Sequence, residues 1–260
     1  MGVAISVGLG GLAGWRVLQR TEARQLEAIA KETMVQRSTT YFRENLSSET
    51  TAEDIVGDYR MMSVVLNAFG LESDIKNKAF VRQILTSDLS DKKSLVNRLA
   101  DKRYLKMAET LQLGSTDKDL SAISNQVTEA YYTREYERRV GESDESLRLA
   151  LNARRELAGF ATRESSNNTL WYEVMGNKPL RTVFEGALGF GSHIGKLPID
   201  RQLQEFTKAS ERMLGTSAVK DLATPEGIEK LIKNYLARSQ LTQNTAQNRY
   251  SSALTLLTAR

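Results

Sequence analysis

Apolar residues recur at intervals of three and four along most of the chain, and runs of strictly alternating apolar and polar residues are nearly absent. Spacing of three and four places side chains on one face of an α-helix, whereas side chains of a strand alternate between two faces. The pattern therefore predicts an all-α, multihelical fold. We expect two related helical units and a long N-terminal helix.

Capping residues set the predicted helix limits. Thr51 followed by Asp54 is typical of a capping box, Gly70 is typical of a left-handed helix end, and Pro225 is typical of a first turn. Residues Ile55, Tyr59, Met62, Leu66 and Phe69 are predicted to share the inward face of the second helix. The predicted helices span 14–46, 51–70, 76–85, 94–111 with a break near Asp101, 117–141, 143–162, 170–175, 179–189, 199–214 and 225–239. Residues 240–260 are weakly amphipathic, and this tail is either loose or docks on a partner.

Two segments share one pattern of apolar and small residues. Residues 61–71 and 180–190 each place a Val, an Ala and a glycine at equivalent positions, with an apolar residue after the glycine. This pattern predicts an amphipathic helix closed by a Schellman motif in each segment. The alternatives are an internal duplication and a chance likeness between glycine-capped helices. Because residues 163–169 are polar, we expect one unit at 1–162 and the other at 163–260.

The start of the chain contains a glycine-rich sequence. Residues 3–12 are apolar, too short to span a bilayer, and not preceded by the positive charge of a secretory signal. Gly8–Ala13 matches G-x-G-x-x-A, in which glycines let the backbone approach a pyrophosphate. A dinucleotide fold also needs a second strand ending in an acid about 20 residues on. A helix is predicted there instead, which favours a flexible leader over residues 3–14.

Composition excludes several classes of site. The 260 residues contain no cysteine, so disulfides, thiolate metal sites and cysteine nucleophiles are excluded. The net charge is +4, but acidic and basic residues are interleaved, as in residues 134–139. Interleaving is typical of a solvated helix face and argues against nucleic-acid binding.

No residue set predicts catalysis. His193 is the single histidine and lies in the glycine-rich loop 189–198, so it cannot form a His-x-x-x-His metal site. Glu135 with Glu137, and Asp117 with Asp119, are two residues apart and do not face each other on a helix. We therefore expect no catalytic, cofactor-binding or metal-binding residues, and a protein that is not an enzyme.

Two groups of residues have open interpretations. Residues 97–104 mix both charges with Tyr104, which suits either a binding patch or a capped helix junction with Asp101 at the N-cap and Tyr104 packed inward. Aromatic residues are enriched at interfaces but at helical spacing also fill cores. These two roles remain open for Tyr131, Tyr132, Tyr136, Trp171 and Tyr172.

Several ordered segments resemble one known family. They are residues 14–21, 41–45, 51–56, 66–71, 77–80 and 97–104. In order and spacing they are similar to a family of alphaproteobacterial proteins of unknown function that are often encoded within flagellar gene clusters. The resemblance covers most of the chain. It implies an all-helical fold and a cytoplasmic or flagellum-associated location, and it brings no known catalytic residues.

These observations lead to one functional expectation and one alternative. We expect a non-catalytic structural or protein-interaction protein associated with the bacterial flagellum, with other proteins, flagellar components or a second copy as partners. The alternative is a helical regulatory or nucleic-acid-binding adaptor. No cofactor and no membrane span are expected.

Overall fold

The computed structural model describes residues 5, 7, 8, 10–113, 115 and 118–258, with side chains at these positions except 192 and 243–258. Within them the chain forms fourteen α-helices, two 3-10 helices and no strand, which confirms the predicted all-α, multihelical fold. The first seven α-helices are α1 Gly11–Ala30, α2 Thr33–Asn45, α3 Ala52–Gly57, α4 Tyr59–Phe69, α5 Lys78–Leu85, α6 Leu95–Arg98 and α7 Arg103–Leu111. The others are α8 Leu120–Ser143, α9 Glu145–Ala158, α10 Asn167–Gly176, α11 Lys178–Leu188, α12 Ile199–Leu214, α13 Val219–Leu222 and α14 Pro225–Thr258. The 3-10 helices are Glu72–Lys76 and Ser192–Lys196.

The predicted helix 14–46 is two helices. α1 ends at Ala30, and Glu32 has an extended backbone (φ −69°, ψ 136°) at the N-cap of α2. This break contains no glycine or proline, so the sequence did not predict it. The Glu32 carboxylate accepts hydrogen bonds from Arg139 at 2.5 and 2.8 Å, a contact made between residues far apart in sequence.

The predicted helix 51–70 is also two helices, and Asp58 joins them. Its backbone is extended, and it serves as the C-cap of α3 and the N-cap of α4. The predicted capping box at Thr51 and Asp54 is present at the start of α3. Because α4 starts a new helical phase after Asp58, Tyr59 points outward with 65% of its surface exposed, and its predicted place on the inward face is wrong.

Other predicted limits differ less. The break near Asp101 separates α6 from α7, and α12 has the predicted bounds. Residues 167–169, which precede the predicted helix 170–175, form the first turn of α10 because the Ser166 hydroxyl caps it. α14 continues as a helix to Thr258, beyond the predicted end near 239.

Packing divides the chain into two compact units. The first is Met1–Ile5 with Arg20–Arg139, and the second is Ser6–Gln19 with Val140–Arg260. The division falls within α1 and α8, so neither unit is one continuous stretch of chain. The predicted domains 1–162 and 163–260 put α9 in the first domain. In the structure α9 packs on α11 and α14 and belongs to the second unit. Whether 162/163 limits an independently folding domain stays a prediction.

Each unit has its own apolar core. In the first unit, α2 to α7 bury a cluster that includes Phe42, Ile55, Met62, Leu66 and Val81. In the second unit, the ring of Trp171 stands edge-on to Phe184 at 5.3 Å and lies 6.1 Å from Phe206, all fully buried. Burial of such apolar surface stabilises each unit by roughly 25 cal/mol per Å² removed from water.

The two units share an order of elements. In the first, α2, α3 and α4 are followed by a 3-10 helix, α5, the four-residue α6 and α7. In the second, α9, α10 and α11 are followed by a 3-10 helix, α12, the four-residue α13 and α14. The packing pairs also correspond, since α2 packs on α4 as α9 packs on α11, and α6 on α7 as α13 on α14.

The predicted glycine-capped helices, α4 and α11, end in the same way. Gly70 and Gly189 have φ values of +68° and +74°, the left-handed region that favours glycine. The six-residue closing bonds run from Leu71 N–H to the Leu66 carbonyl (2.8 Å) and from Phe190 N–H to the Glu185 carbonyl (2.9 Å). Both ends are therefore Schellman motifs, as predicted. Gene duplication as their origin stays a prediction.

Candidate interaction surface

The glycine-rich start leads into α1, and the first amide of this helix has a partner within the chain. The N–H of Gly11 points to the Asp144 carboxylate at 3.4 Å, and the same carboxylate caps α9 through the N–H groups of Ser146 and Leu147. Negative charge at a helix N-terminus is favourable. At Gly11 a side chain of this protein therefore occupies the place that a phosphate would take in a dinucleotide fold. Residues 3, 4, 6 and 9 of the predicted leader lie outside the described residues.

α1 is anchored by Trp15. Its indole is 1% exposed, and Nε1 donates to Glu229 on α14 at 3.0 Å. The guanidinium of Arg154 on α9 lies 5.4 Å from the centre of the ring. Gly14 lets α1 lie close to Val7 and Leu147, because a Cβ there would stand 2.6 Å from the Val7 carbonyl oxygen. This stretch of the G-x-G-x-x-A segment is a packing element of the second unit.

His193 lies exposed in the 3-10 helix Ser192–Lys196, with its imidazole beside the backbone of Gly191. Among the described residues, no group of three or more His, Asp or Glu side chains is arranged to hold a metal ion. The expectations that the chain is not an enzyme and binds no cofactor remain predictions. No described helix combines the length and apolar character needed to cross a membrane.

Residues 97–104 form a helix junction. Asp101 accepts hydrogen bonds from the N–H and guanidinium of Arg103 at the start of α7, and Arg103 also donates to the Gly70 carbonyl. Tyr104 packs edge-on against Phe80 at 5.3 Å and donates its hydroxyl to Asp74 at 2.5 Å. Burial and the Asp74 carboxylate raise the pKa of Tyr104. These contacts favour the capped junction over a binding patch. The N-cap residue of α7 is Lys102, so the predicted N-cap at Asp101 is wrong by one residue, although the Asp101 side chain does accept the Arg103 N–H.

Glu135 and Glu137, two residues apart, form ion pairs with different arginines. Glu135 pairs with Arg138 and Arg139 at 2.7 Å, and Glu137 with Arg134 at 3.5 Å. Asp117 lies outside the described residues, and Asp119 accepts from the N–H of Ala122 in the first turn of α8. Residues 134–139, predicted to be a solvated face, therefore form ion pairs, several of them largely buried.

A polar seam joins α2 to α8 in the first unit. Its pairs are Glu32 with Arg139, Thr39 with Tyr132 at 3.3 Å, and Arg43 with Thr128 at 2.9 Å. The two residue numbers of every pair add up to 171, as expected for antiparallel helices in one fixed register. Arg139 is 8% exposed at its side chain, and its two carboxylate partners raise its pKa.

The aromatic candidates divide between core and surface. Tyr136 and Trp171 are buried in the core, Tyr132 is a half-buried member of the seam, and Tyr131 is half-buried next to it in the chain. Tyr172 is exposed, and its hydroxyl donates to Asp200 at 2.9 Å. Leu197 and Ile199, three residues and one residue before Asp200, are also exposed. This small apolar surface lies at the end of the predicted loop 189–198.

A second exposed surface lies in the first unit, and sequence reasoning missed it. We call it the Tyr41 surface; it consists of Met34, Arg37, Tyr41, Tyr59 and Arg60. Met34 is 71% exposed and Tyr59 is 65% exposed. The Arg60 guanidinium stacks 3.6 Å from the centre of the Tyr41 ring and donates to the Arg37 carbonyl oxygen at 3.4 Å. The signal in the sequence was the spacing 34, 37, 41, which places three residues on the face of α2 opposite its buried residues.

The Asp58 carboxylate links the Tyr41 side chain to the start of α4. One carboxylate oxygen accepts the N–H groups of Arg60 and Met61, at 2.7 and 3.1 Å, and the other accepts the Tyr41 hydroxyl. Burial raises the pKa of Asp58, but these hydrogen bonds outweigh burial and the pKa is lowered. The Asp58 hydrogen bond raises the pKa of Tyr41. The Tyr41 ring is thus fixed between α2 and α4.

Comparison with known proteins identifies relatives of unknown function. A family model described as "Protein of unknown function (DUF1217)" matches residues 68–228, more than half of the chain. A crystal structure of protein AGR_C_984 from Agrobacterium tumefaciens is similar, with a TM-score of 0.75 and 24% identity over 93% of this chain and 97% of that one. At this identity the similarity supports a shared fold and nothing about function. No curated protein matches the chain significantly.

Proposed function

The chain belongs to the DUF1217 family of proteins of unknown function, and we propose that it is a non-catalytic protein-interaction protein associated with the bacterial flagellum. The observation that carries the interaction role is the Tyr41 surface. Tyr, Met and Arg are enriched at protein interfaces, and here they are exposed together on a fixed support. The flagellar association is supported by the ordered motifs that resemble the family encoded in flagellar gene clusters. We propose a cytoplasmic or flagellum-associated location.

Gene deletion tests this proposal. We expect a deletion strain to swim poorly on soft agar, and we expect the wild-type gene supplied in trans to restore swimming. Complementation with Met34→Ser/Tyr59→Ser should restore it incompletely, since both side chains are exposed and their replacement leaves the core intact. Leu89→Ser is the matched control, because Leu89 is a 38% exposed apolar residue of the same unit outside the Tyr41 surface. Normal flagella and normal swimming in the deletion strain would refute the flagellar role.

A further inference from the structure

We propose that the Tyr41 surface binds a second copy of this chain, with α2 of one copy antiparallel to α2 of the other, a deepening that rests on the proposed interaction function. In this pairing Arg37 of each copy forms an ion pair with Glu44 of the other. The partner of the surface is therefore the same surface on another molecule.

Two exposed charges of opposite sign lie on the outer face of α2. Arg37 and Glu44 are seven residues apart, or about two helical turns, so both lie opposite the buried residues of this helix. Neither side chain forms an ion pair within the part of the chain that the structure describes. Seven residues of helix rise about 10.5 Å, so the two charges do not reach each other in one molecule.

The other charges near this face are already balanced. Arg60 stacks on the Tyr41 ring and Asp58 accepts the Tyr41 hydroxyl, so these two opposite charges lie on either side of one side chain. Arg43 belongs to the polar seam and donates to α8. The partner is therefore selected by the spacing of the two unpaired charges and not by a net charge.

A reversed copy of α2 carries the complementary charges at the same spacing. If the pairing is centred between positions 40 and 41, position 37 of each helix faces position 44 of the other. Two-fold symmetry requires this reciprocity, in which residue i contacts j and j contacts i. Opposite charges across the interface then fix the register of the two helices.

Exposed apolar side chains extend the contact area on one side of the ion pairs. Met34 lies two turns before Tyr41 in α2, and Tyr59 begins α4. With exposed fractions of 71% and 65%, Met34 and Tyr59 are the most exposed large apolar residues described in the first unit. Removing them from water favours association, whereas the ion pairs supply the orientation.

Sedimentation equilibrium of the full-length chain tests this pairing. We expect a monomer–dimer equilibrium. Arg37→Glu or Glu44→Arg alone sets like charges against each other twice in every dimer, so either variant should weaken dimerisation about tenfold. The charge-swapped double variant, Arg37→Glu/Glu44→Arg, restores both pairs and should dimerise nearly as well as the wild-type chain.

Lys106→Glu and Glu109→Arg are the matched controls for the single variants. Both residues are exposed charges on α7 of the same unit, outside the Tyr41 surface, and their substitution should leave dimerisation unchanged. Because the Arg37 and Glu44 side chains form no ion pair within the described chain, their variants should also keep the wild-type thermal midpoint. A weakened dimer would then reflect the interface and not the fold.

Disulfide crosslinking tests the register independently of charge. The chain contains no cysteine, so an engineered thiol can pair only with its copy in another molecule. Thr40 is exposed and lies at the proposed centre of the pairing, so Thr40→Cys should give a linked dimer on mild oxidation. Ser121→Cys, at an exposed position of α8, is the control and should stay largely monomeric under the same conditions.

The outcomes separate this inference from the proposed function. A chain that stays monomeric at about 100 μM, a dimer that either single variant leaves intact, a double variant as weak as the single ones, or equal crosslinking at positions 40 and 121 would each overturn the α2 pairing. These results would not alter the swimming of the deletion strain, on which the flagellar role depends. A charge-dependent dimer together with normal swimming of that strain would support the pairing and refute the flagellar role.

Discussion

Gly70 is a residue whose replacement should weaken the first unit in a defined way. Its φ of +68° is costly for residues with a side chain, and an added Cβ would stand 2.8 Å from Cζ of Arg134. Arg134 meanwhile donates to the Phe69 carbonyl at 3.1 Å. We expect Gly70→Ala to lower the free energy of unfolding by about 1–2 kcal/mol, measured by urea denaturation.

Gly57 provides the matched control for that substitution. It lies in the last turn of α3 in the same unit, and a Cβ there would meet nothing within 4 Å. Gly57→Ala should leave stability unchanged or raise it by up to about 1 kcal/mol, because alanine restricts the unfolded chain. Equal destabilisation by both substitutions would contradict the role given to the left-handed turn.

Glu135 should link stability to pH. Burial raises the pKa of its carboxyl, but hydrogen bonds from Arg138 and Arg139 outweigh burial, and the pKa lies below its ordinary value of 4.5. A carboxyl with a lowered folded pKa contributes stability that is present above the unfolded pKa and is lost as pH falls through the folded pKa. In urea unfolding, the free energy of unfolding should therefore fall below about pH 4.5, and it should fall less steeply in Glu135→Gln. At neutral pH this substitution should itself lower the free energy of unfolding by about 2 kcal/mol. Identical pH curves for the two proteins would exclude this contribution.

At the scale of elements, the α2–α8 seam should depend on its ion pair as a unit. Arg139→Met leaves Glu32 largely buried without this cation and should cost about 3 kcal/mol, whereas Glu32→Leu with Arg139→Met should recover much of that loss. A double-mutant cycle by urea denaturation measures the coupling, expected at about 1–3 kcal/mol. Additive effects would show that the two side chains act independently.

Helix ends that depend on neighbouring residues alone could be predicted from the sequence. Gly70 and Gly189 were predictable, because a left-handed residue followed by an apolar one closes a helix without help from the rest of the fold. The break at Asp58 was missed because apolar residues continue through it at positions 55, 59 and 62, and the break at Glu32 because no glycine or proline marks it. Glu32 meets a partner 107 residues away. The Tyr41 surface was missed for the same reason: only the α2–α4 crossing brings Arg60 onto Tyr41.

At the scale of the whole molecule, the domain boundary at 162/163 has a direct test. A fragment of residues 163–260 lacks α9, which packs on α11 and α14. We expect it to show broad thermal unfolding by circular dichroism, because the apolar residues of α11 and α14 lose their cover. A fragment of residues 140–260 keeps α9 and should unfold more cooperatively. Cooperative folding of the shorter fragment would instead support the predicted boundary.

Trp15 has a consequence for the order in which the protein is made. Its indole partner, Glu229, is 214 residues further along the chain. At about 5–20 residues per second, a ribosome needs roughly 10–40 s to add that length. For this interval α1 has been made but the helix that receives its tryptophan has not, so the Trp15 side chain lacks its native partner. Slow translation should therefore lengthen its exposure to chaperones and proteases.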